Sequence, residues 1–414
     1  MKIALLGNMN NANFALLRFL KSRGLNADLL LWKNDGELSH FHFKPENDTY
    51  DFKYWSKFIK KTLINNALSS IFFNPLKPKN YITEKYFLNL YKKYDLFIAS
   101  GIAPALFEKF NKRLDIFYPL SIGVEFINTN DDKKFLNSVS KRYFFERLKK
   151  IQKKGIRNSR LIINPEIGKT EKVFKQIKVK TLKLILPLIY NEKKIINYQS
   201  LVTKKINKFD FKIISHTRHL WKFDESFSRR ENKENSKNND WLLNAFKNFI
   251  KETKSNSCLI LSKSGPDYKD SYKLAKKLEI SDKIIWLPIM PRKKIIQIIK
   301  QCDIGVSEFY QLKNTFFGGT TLELLSQGKV TIQSFDLSKK DFKKIFKLRA
   351  PPILNIKNKI DLKKMIKKLY KDIQFRKNVE INTKKWFLEE YCKKTISNWI
   401  QVIHLIYKDK KKKL

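Results

Sequence analysis

Two adjacent glycines, Gly318 and Gly319, head the run Thr320-Thr321-Leu322-Glu323-Leu324-Leu325-Ser326, which reads as a short helix ended by Gly328 and followed by a buried strand from Val330 to Gln333. Glycine lets a backbone approach a ligand with no Cβ in the way, and the unpaired N–H groups and positive end of a helix seat phosphate. Thr320 or Thr321 can cap that helix. Glu323 falls in the expected first turn, where a carboxylate can accept two hydrogen bonds from vicinal hydroxyls such as those of a ribose. The competing reading is a capping box, Thr320-x-x-Glu323, in which the glutamate only satisfies the helix end.

Cations that could serve a diphosphate lie about a hundred residues earlier. Arg218 stands in His216-Thr217-Arg218-His219, at the exit of an expected strand over 211–215, and Lys237 precedes an expected helix over 240–254. A guanidinium grips phosphate oxygens in pairs. The plainer readings are a surface ion pair for Arg218, a solvated lysine for Lys237 and local hydrogen bonding for His216 and His219. No two aspartates stand two residues apart, His40 and His42 have no third ligand, and Cys258, Cys302 and Cys392 lie far apart, so no metal site is expected. No carboxylate pair suggests glycoside hydrolysis.

The elements that would carry these residues alternate between strand and helix. Strands are expected over 2–6, 27–32, 95–99, 115–119, 160–164 and 183–189, with another within 35–90, and helices over 13–23, 102–110, 135–155 and 170–177. The opening loop Gly7-Asn8-Met9-Asn10-Asn11 has one glycine where a dinucleotide fingerprint needs three, and its asparagines tolerate unusual backbone angles. Residues 191–209 read as a linker, after which the alternation restarts with strands over 211–215, 257–262, 284–288, 303–307, 330–333 and 352–355. A helical run over 386–407 closes the chain.

The run Gly318-Gly319-Thr320-Thr321-Leu322-Glu323, with Gly328-Lys329-Val330-Thr331-Ile332 after it, resembles the nucleotide-sugar site of group 1, retaining GT-B-fold glycosyltransferases. The resemblance is clear over 211–335 and only architectural before that. It implies an α/β protein of GT-B architecture, with two Rossmann-like domains whose parallel sheets face a central cleft. These would be an acceptor domain over 1–195, a donor domain over 208–385, a helix over 386–408 packing back on the first domain, and a basic tail over 409–414. By resemblance Glu323 holds the donor ribose and Arg218 and Lys237 reach the diphosphate. His216, Gly318, Gly319, Thr320 and Thr321 complete the donor side; Gly7, Asn8, Asn10, Asn11, Gly123 and Glu125 line the acceptor side. Two departures stand out. Thr315 occupies the place of a usual second glutamate, with Glu308 the nearest acid upstream, and Asn238 replaces a usual glycine. The implied activity moves a sugar from a nucleotide-diphosphate sugar to a glycan or lipid-linked acceptor, with retention and without metal or other cofactor, in surface polysaccharide biosynthesis.

Composition bounds the alternatives. The 414 residues, 42% apolar and 13% aromatic, suffice for two domains with their own cores. Lysine and arginine number 86 against 39 acids, a net charge of +47 that suits nucleic acid, anionic membrane or phosphorylated substrate. Lysines are spread over every segment, which reads as compositional bias; only the tail from Lys408 is dense, and it is expected to be solvated and frayed. No nucleic-acid-binding motif is present, so no specific nucleic acid is expected, although a basic nucleic-acid-binding protein is the alternative from another class. A GT-B nucleotide-sugar 2-epimerase is the alternative within the fold. Separated cysteines, a short apolar start and no run approaching about 20 apolar residues point to a cytoplasmic protein, peripheral at most at the inner face of the cell membrane.

Overall fold

A computed structural model describes residues 1–33, 44–65, 68–73, 81–120, 124, 127, 139–192, 201–222, 236–309 and 318–412. It divides into two compact units, one of Met1–Tyr190 with Lys393–Leu414 and one of Asn191–Cys392.

In the first unit, β1 (Lys2–Leu6), β2 (Asn26–Leu31), β3 (Ile59–Lys61), β4 (Leu96–Ala99), β5 (Ile116–Phe117) and β6 (Leu161–Ile162) form a parallel sheet in the order β3-β2-β1-β4-β5-β6. Helices α1 (Ala12–Ser22), α2 (Phe52–Trp55), α3 (Leu68–Ile71), α4 (Glu84–Tyr91), α5 (Ala103–Lys109), α6 (Val139–Asn158) and α7 (Lys169–Gln176) connect the strands. Successive side chains of a strand point to opposite faces, and a parallel sheet covered on both sides therefore reads as continuously apolar. β1 shows it directly: Ile3 and Leu5 join one core, and Ala4 and Leu6 join another.

The second unit begins with α8 (Leu201–Ile206), a helix inside the stretch expected as linker, and repeats the plan. Its strands β7 (Phe211–Ser215), β8 (Ser257–Ser262), β9 (Ile284–Leu287), β10 (Ile304–Val306), β11 (Val330–Gln333) and β12 (Leu354–Asn355) pair in parallel in the order β12-β11-β10-β7-β8-β9. Between them run α9 (Asn239–Thr253), α10 (Tyr268–Lys277), α11 (Arg292–Gln301), α12 (Gly319–Ser326) and α13 (Lys339–Phe346). Helices α14 (Lys359–Lys371) and α15 (Ile373–Trp386) follow β12. A wider π-type segment, Phe387–Thr395, leads into α16 (Ile396–Lys412), which lies in the first unit.

Two expectations are corrected. Residues 183–189 form no strand; Leu182 makes a single bridge to Ile163, and Leu184, Ile185, Leu186 and Ile189 are buried without a ladder. Leu184 and Leu186 share a core with Trp399 of α16, whose indole N–H donates to the Ile185 carbonyl at 2.8 Å, and burial alone explains the apolar run. The basic tail is not frayed through Lys412. Lys410 is 9% exposed, and its ammonium donates to the Asp95 carbonyl at 2.7 Å and to Asp115 Oδ2 at 3.1 Å.

Candidate donor site in the second unit

Strand order in the second sheet reverses between β10 and β7, which lie side by side. In open parallel sheets ligands bind outside the carboxyl ends of strands at such a point. The segment leaving β7 is His216 to Leu220, and the chain beyond β10 leads into α12. A Cβ on Gly305 of β10 would come within 2.3 Å of the Leu324 side chain, so α12 lies directly on this strand. Thr321 fixes its first turn by sharing a hydrogen bond with the Ser307 hydroxyl at 2.9 Å and donating to the Gln333 side-chain oxygen Oε1. Thr321 therefore points into the core and does not cap the helix.

No side chain caps α12 at Gly318. Its first backbone bond joins the Leu322 N–H to the Gly318 carbonyl at 3.2 Å, so the amides of residues 319–321 precede the helical ladder. Among the described residues, a Cβ on Gly318 would meet nothing within 4 Å, and one on Gly319 would meet only the Arg292 Nη2, at 4.0 Å. Gly318 is extended, at φ −93°. Neither backbone angle nor packing against the described residues requires glycine at either place. The bare amides are what the two glycines leave accessible.

Glu323 lies in the second turn of α12 rather than the first, and its carboxylate does not return to the helix end. It is 6% exposed; Oε1 accepts from Arg292 Nε at 2.7 Å, and Oε2 pairs with His216 Nε2 at 2.6 Å. Burial would raise its pKa, but the His216 hydrogen bond and the Arg292 charge outweigh burial and hold it at about 2. A carboxylate has about four acceptor positions, so each oxygen retains room for a further donor. His216 Nδ1 is buried and without a hydrogen-bond partner among the described residues. Arg292, at the first position of α11 after Pro291, escaped the sequence reading. Pro291 marks a helix start, but nothing local separates this arginine from neighbouring Lys293 and Lys294.

Arg218 is exposed beside Gly265, whose φ of +102° and missing Cβ let the 264–265 backbone close on His219. The His219 N–H donates to the Ser264 carbonyl at 2.7 Å. His219 itself is a core residue: Nε2 meets the Ser262 carbonyl at 3.0 Å, and burial lowers its pKa to about 4. Lys237 is ion-paired with Glu308. Asn238, where the resembled family has glycine, adopts the left-handed backbone at φ +46° and donates through Nδ2 to the Phe309 carbonyl. Asparagine is among the few side chains that tolerate this conformation, which accounts for the replacement.

Residues 228–386 match the family model described as glycosyl transferases group 1. This part of the second unit is a group 1 glycosyl transferase domain. No curated relative matches the sequence. Among solved structures, HepE of Anabaena in complex with UDP-glucose is similar at 14% identity and a TM-score of 0.57, over 98% of this chain and 99% of that one. Sucrose-phosphate synthase of Thermosynechococcus elongatus is similar at 13% identity and a TM-score of 0.59, over 99% of this chain and 100% of that one. A glycosyltransferase of Rickettsia africae gives 15% identity and a TM-score of 0.57, over 99% and 98%. At these identities the likeness shows the fold, which is GT-B.

In the first unit, the loop proposed for the acceptor is built largely from its own side chains. Gly7, at φ +82°, is fixed by Trp32, whose indole would lie 2.0 Å from a Cβ. Asn8 is fully buried; it donates to Asn11 Oδ1 at 2.6 Å and accepts the Phe14 N–H at 3.0 Å. Asn10 and Asn11 both take positive φ, 53° and 55°, as the asparagine-rich loop allows. Asn11 is buried and donates to the Lys44 carbonyl, whereas Asn10 is exposed. Gly123, Glu125, Thr315, His40 and His42 lie outside the described residues. Among the described residues no group of three His, Cys, Asp or Glu side chains could hold a metal.

Proposed function

We propose that the chain transfers a glycosyl group from a nucleotide-diphosphate sugar to a glycan or lipid-linked acceptor, with retention and without a metal, in the assembly of surface polysaccharide. One observation carries the reading: a buried carboxylate, held ionised by Arg292 and His216, stands beside an uncapped helix N-terminus opened by two glycines that the fold leaves unfilled. The amides of residues 319–321 suit a phosphate, and the remaining acceptor positions of Glu323 suit two ribose hydroxyls. As the bond from the anomeric carbon to the diphosphate oxygen breaks, charge collects on the leaving diphosphate. Arg218 and Lys237 are the cations for it, Lys237 after exchanging or sharing Glu308. Retention and the polysaccharide role rest on the family resemblance. The UDP-glucose held by HepE makes uridine diphosphate the first nucleotide to try.

Gly319 separates ligand binding from folding. Gly319→Ala should be as stable as the native chain or gain about 0.5 kcal/mol, because the backbone accepts a Cβ there. Gly319→Val should keep the fold yet weaken UDP binding at least about tenfold by filling the phosphate seat, a loss of about 1.4 kcal/mol. Titration calorimetry with thermal melts checks both, and unchanged UDP affinity in a folded Gly319→Val protein rejects the site. Turnover of a UDP-sugar should persist in EDTA; its loss rejects metal independence.

A further inference from the structure

Helix α6 carries eight lysines and arginines and a single acid, Glu146, in twenty residues. Its inner face is fixed. Leu148 and Ile156 are buried, and a Cβ on Gly155 would stand 2.0 Å from the Pro104 carbonyl oxygen, so the helix rests directly on α5. Gln152 locks the rotation by accepting the Ala105 N–H and donating to the Gly101 carbonyl, both at 2.9 Å. The opposite face then presents Tyr143, Arg147, Lys150, Lys154 and Arg157, all exposed and spaced by four, three, four and three residues. That spacing makes one stripe about 21 Å long.

Apolar groups gather at one end of this stripe. Val139 is 81% exposed and Tyr143 58%. The Arg147 guanidinium lies 5.1 Å from the Phe72 ring and 5.6 Å from the Tyr143 ring, and Phe73, next in the chain to Phe72, is 58% exposed. Lys154 pairs with Glu108 at 2.6 Å yet stays 68% exposed.

We propose that this face of α6, with Phe73 beside it, docks in the plane of an anionic lipid bilayer. The stripe meets lipid phosphates while Val139, Tyr143 and Phe73 enter the boundary between headgroups and acyl chains. Cations alone would serve nucleic acid equally well. The favoured occupant follows from the apolar residues, one of them aliphatic, which cluster at one end instead of alternating with the cations as base-stacking rings would. Such groups gain from leaving water for an apolar phase. Among the described residues no helix is long and apolar enough to cross a membrane, so the contact is one of surface. The proposal is independent of the glycosyl-transfer reading.

Flotation of the full chain with vesicles tests it. Binding is expected to vesicles of equal parts phosphatidylcholine and phosphatidylglycerol and not to phosphatidylcholine alone. Arg147→Gln with Lys150→Gln should weaken binding roughly thirtyfold, whereas Lys273→Gln with Lys277→Gln on α10, an equal loss of exposed charge, should leave it within about twofold. Tyr143→Ser with Phe73→Ser should weaken it at high as well as low salt, with an unchanged melting temperature. Equal losses in the two lysine and arginine variants, no binding to the anionic vesicles, or displacement from them by an oligonucleotide that binds through α6 would each overturn the proposal.

Discussion

At the scale of single residues, the decisive group is Glu323, because its partners keep it ionised although it is buried. Its carboxyl is held at about 2, against 4.5 for an ordinary glutamate. A depressed folded-state pKa stabilises the protein above the unfolded value, and that stability is lost as pH falls from about 4.5 toward 2. The shift corresponds to roughly 3 kcal/mol. Denaturant titrations from pH 7 to 2 should show this loss, and Glu323→Ala should flatten it. At neutral pH the same substitution leaves Arg292, its side chain 8% exposed, without this carboxylate and should cost about 3 kcal/mol or more. An unchanged acid limb in Glu323→Ala would show that the carboxylate is not ion-paired in solution.

At the scale of elements, the site depends on how strand ends deliver backbone. The start of α9 is the clearest case, since the left-handed Asn238 turns the chain between Lys237 and the helix. Asn238→Gly should stay within about 2 kcal/mol of native stability, as glycine accepts the angle and only the side-chain hydrogen bonds to the Phe309 carbonyl and from the Ser236 hydroxyl are lost. Asn238→Val should cost about 2 kcal/mol or more, because a β-branched residue resists positive φ. Thermal melts compare the two, and equal stability would mean that the turn relaxes. α12 shows the same dependence from the other side: Thr321, which could have capped the helix, is spent on joining it to β10 and β11.

At the scale of the whole molecule, the chain passes from the first unit to the second after Tyr190 and returns at Lys393, so α16 completes the unit that β1 begins. Its last turns bury a cation against Asp115, a fully buried carboxylate that also accepts from the Phe97 N–H at 2.9 Å and from Arg160 Nε at 3.2 Å. Burial pushes the Asp115 pKa up, against the pull of Lys410 and Arg160. Lys410→Met should therefore destabilise the protein by about 3 kcal/mol in urea unfolding, whereas the exposed Lys412→Met should be neutral. Equal midpoints for the two variants would refute the anchor. Of the dense terminal lysines, only a contact distant in sequence distinguishes Lys410.

The alternation of apolar runs determined the α/β class and most elements by itself, because burial on both faces of a parallel strand leaves a continuous local signature, as in 2–6, 211–215, 257–262 and 330–333. It also marked Gly318, Gly319 and Glu323, whose spacing on one helix is a local property. Burial without a ladder at 183–189 misled it, since the same hydrophobicity serves a strand or an irregular segment under α16. The partners of Glu323 were beyond its reach: His216 and Arg292 stand 107 and 31 residues away and meet it only because the loop after β7, the start of α11 and α12 converge in the folded unit. Charge type is written in the sequence, but which charge is buried, paired or free depends on distances that only the folded chain sets.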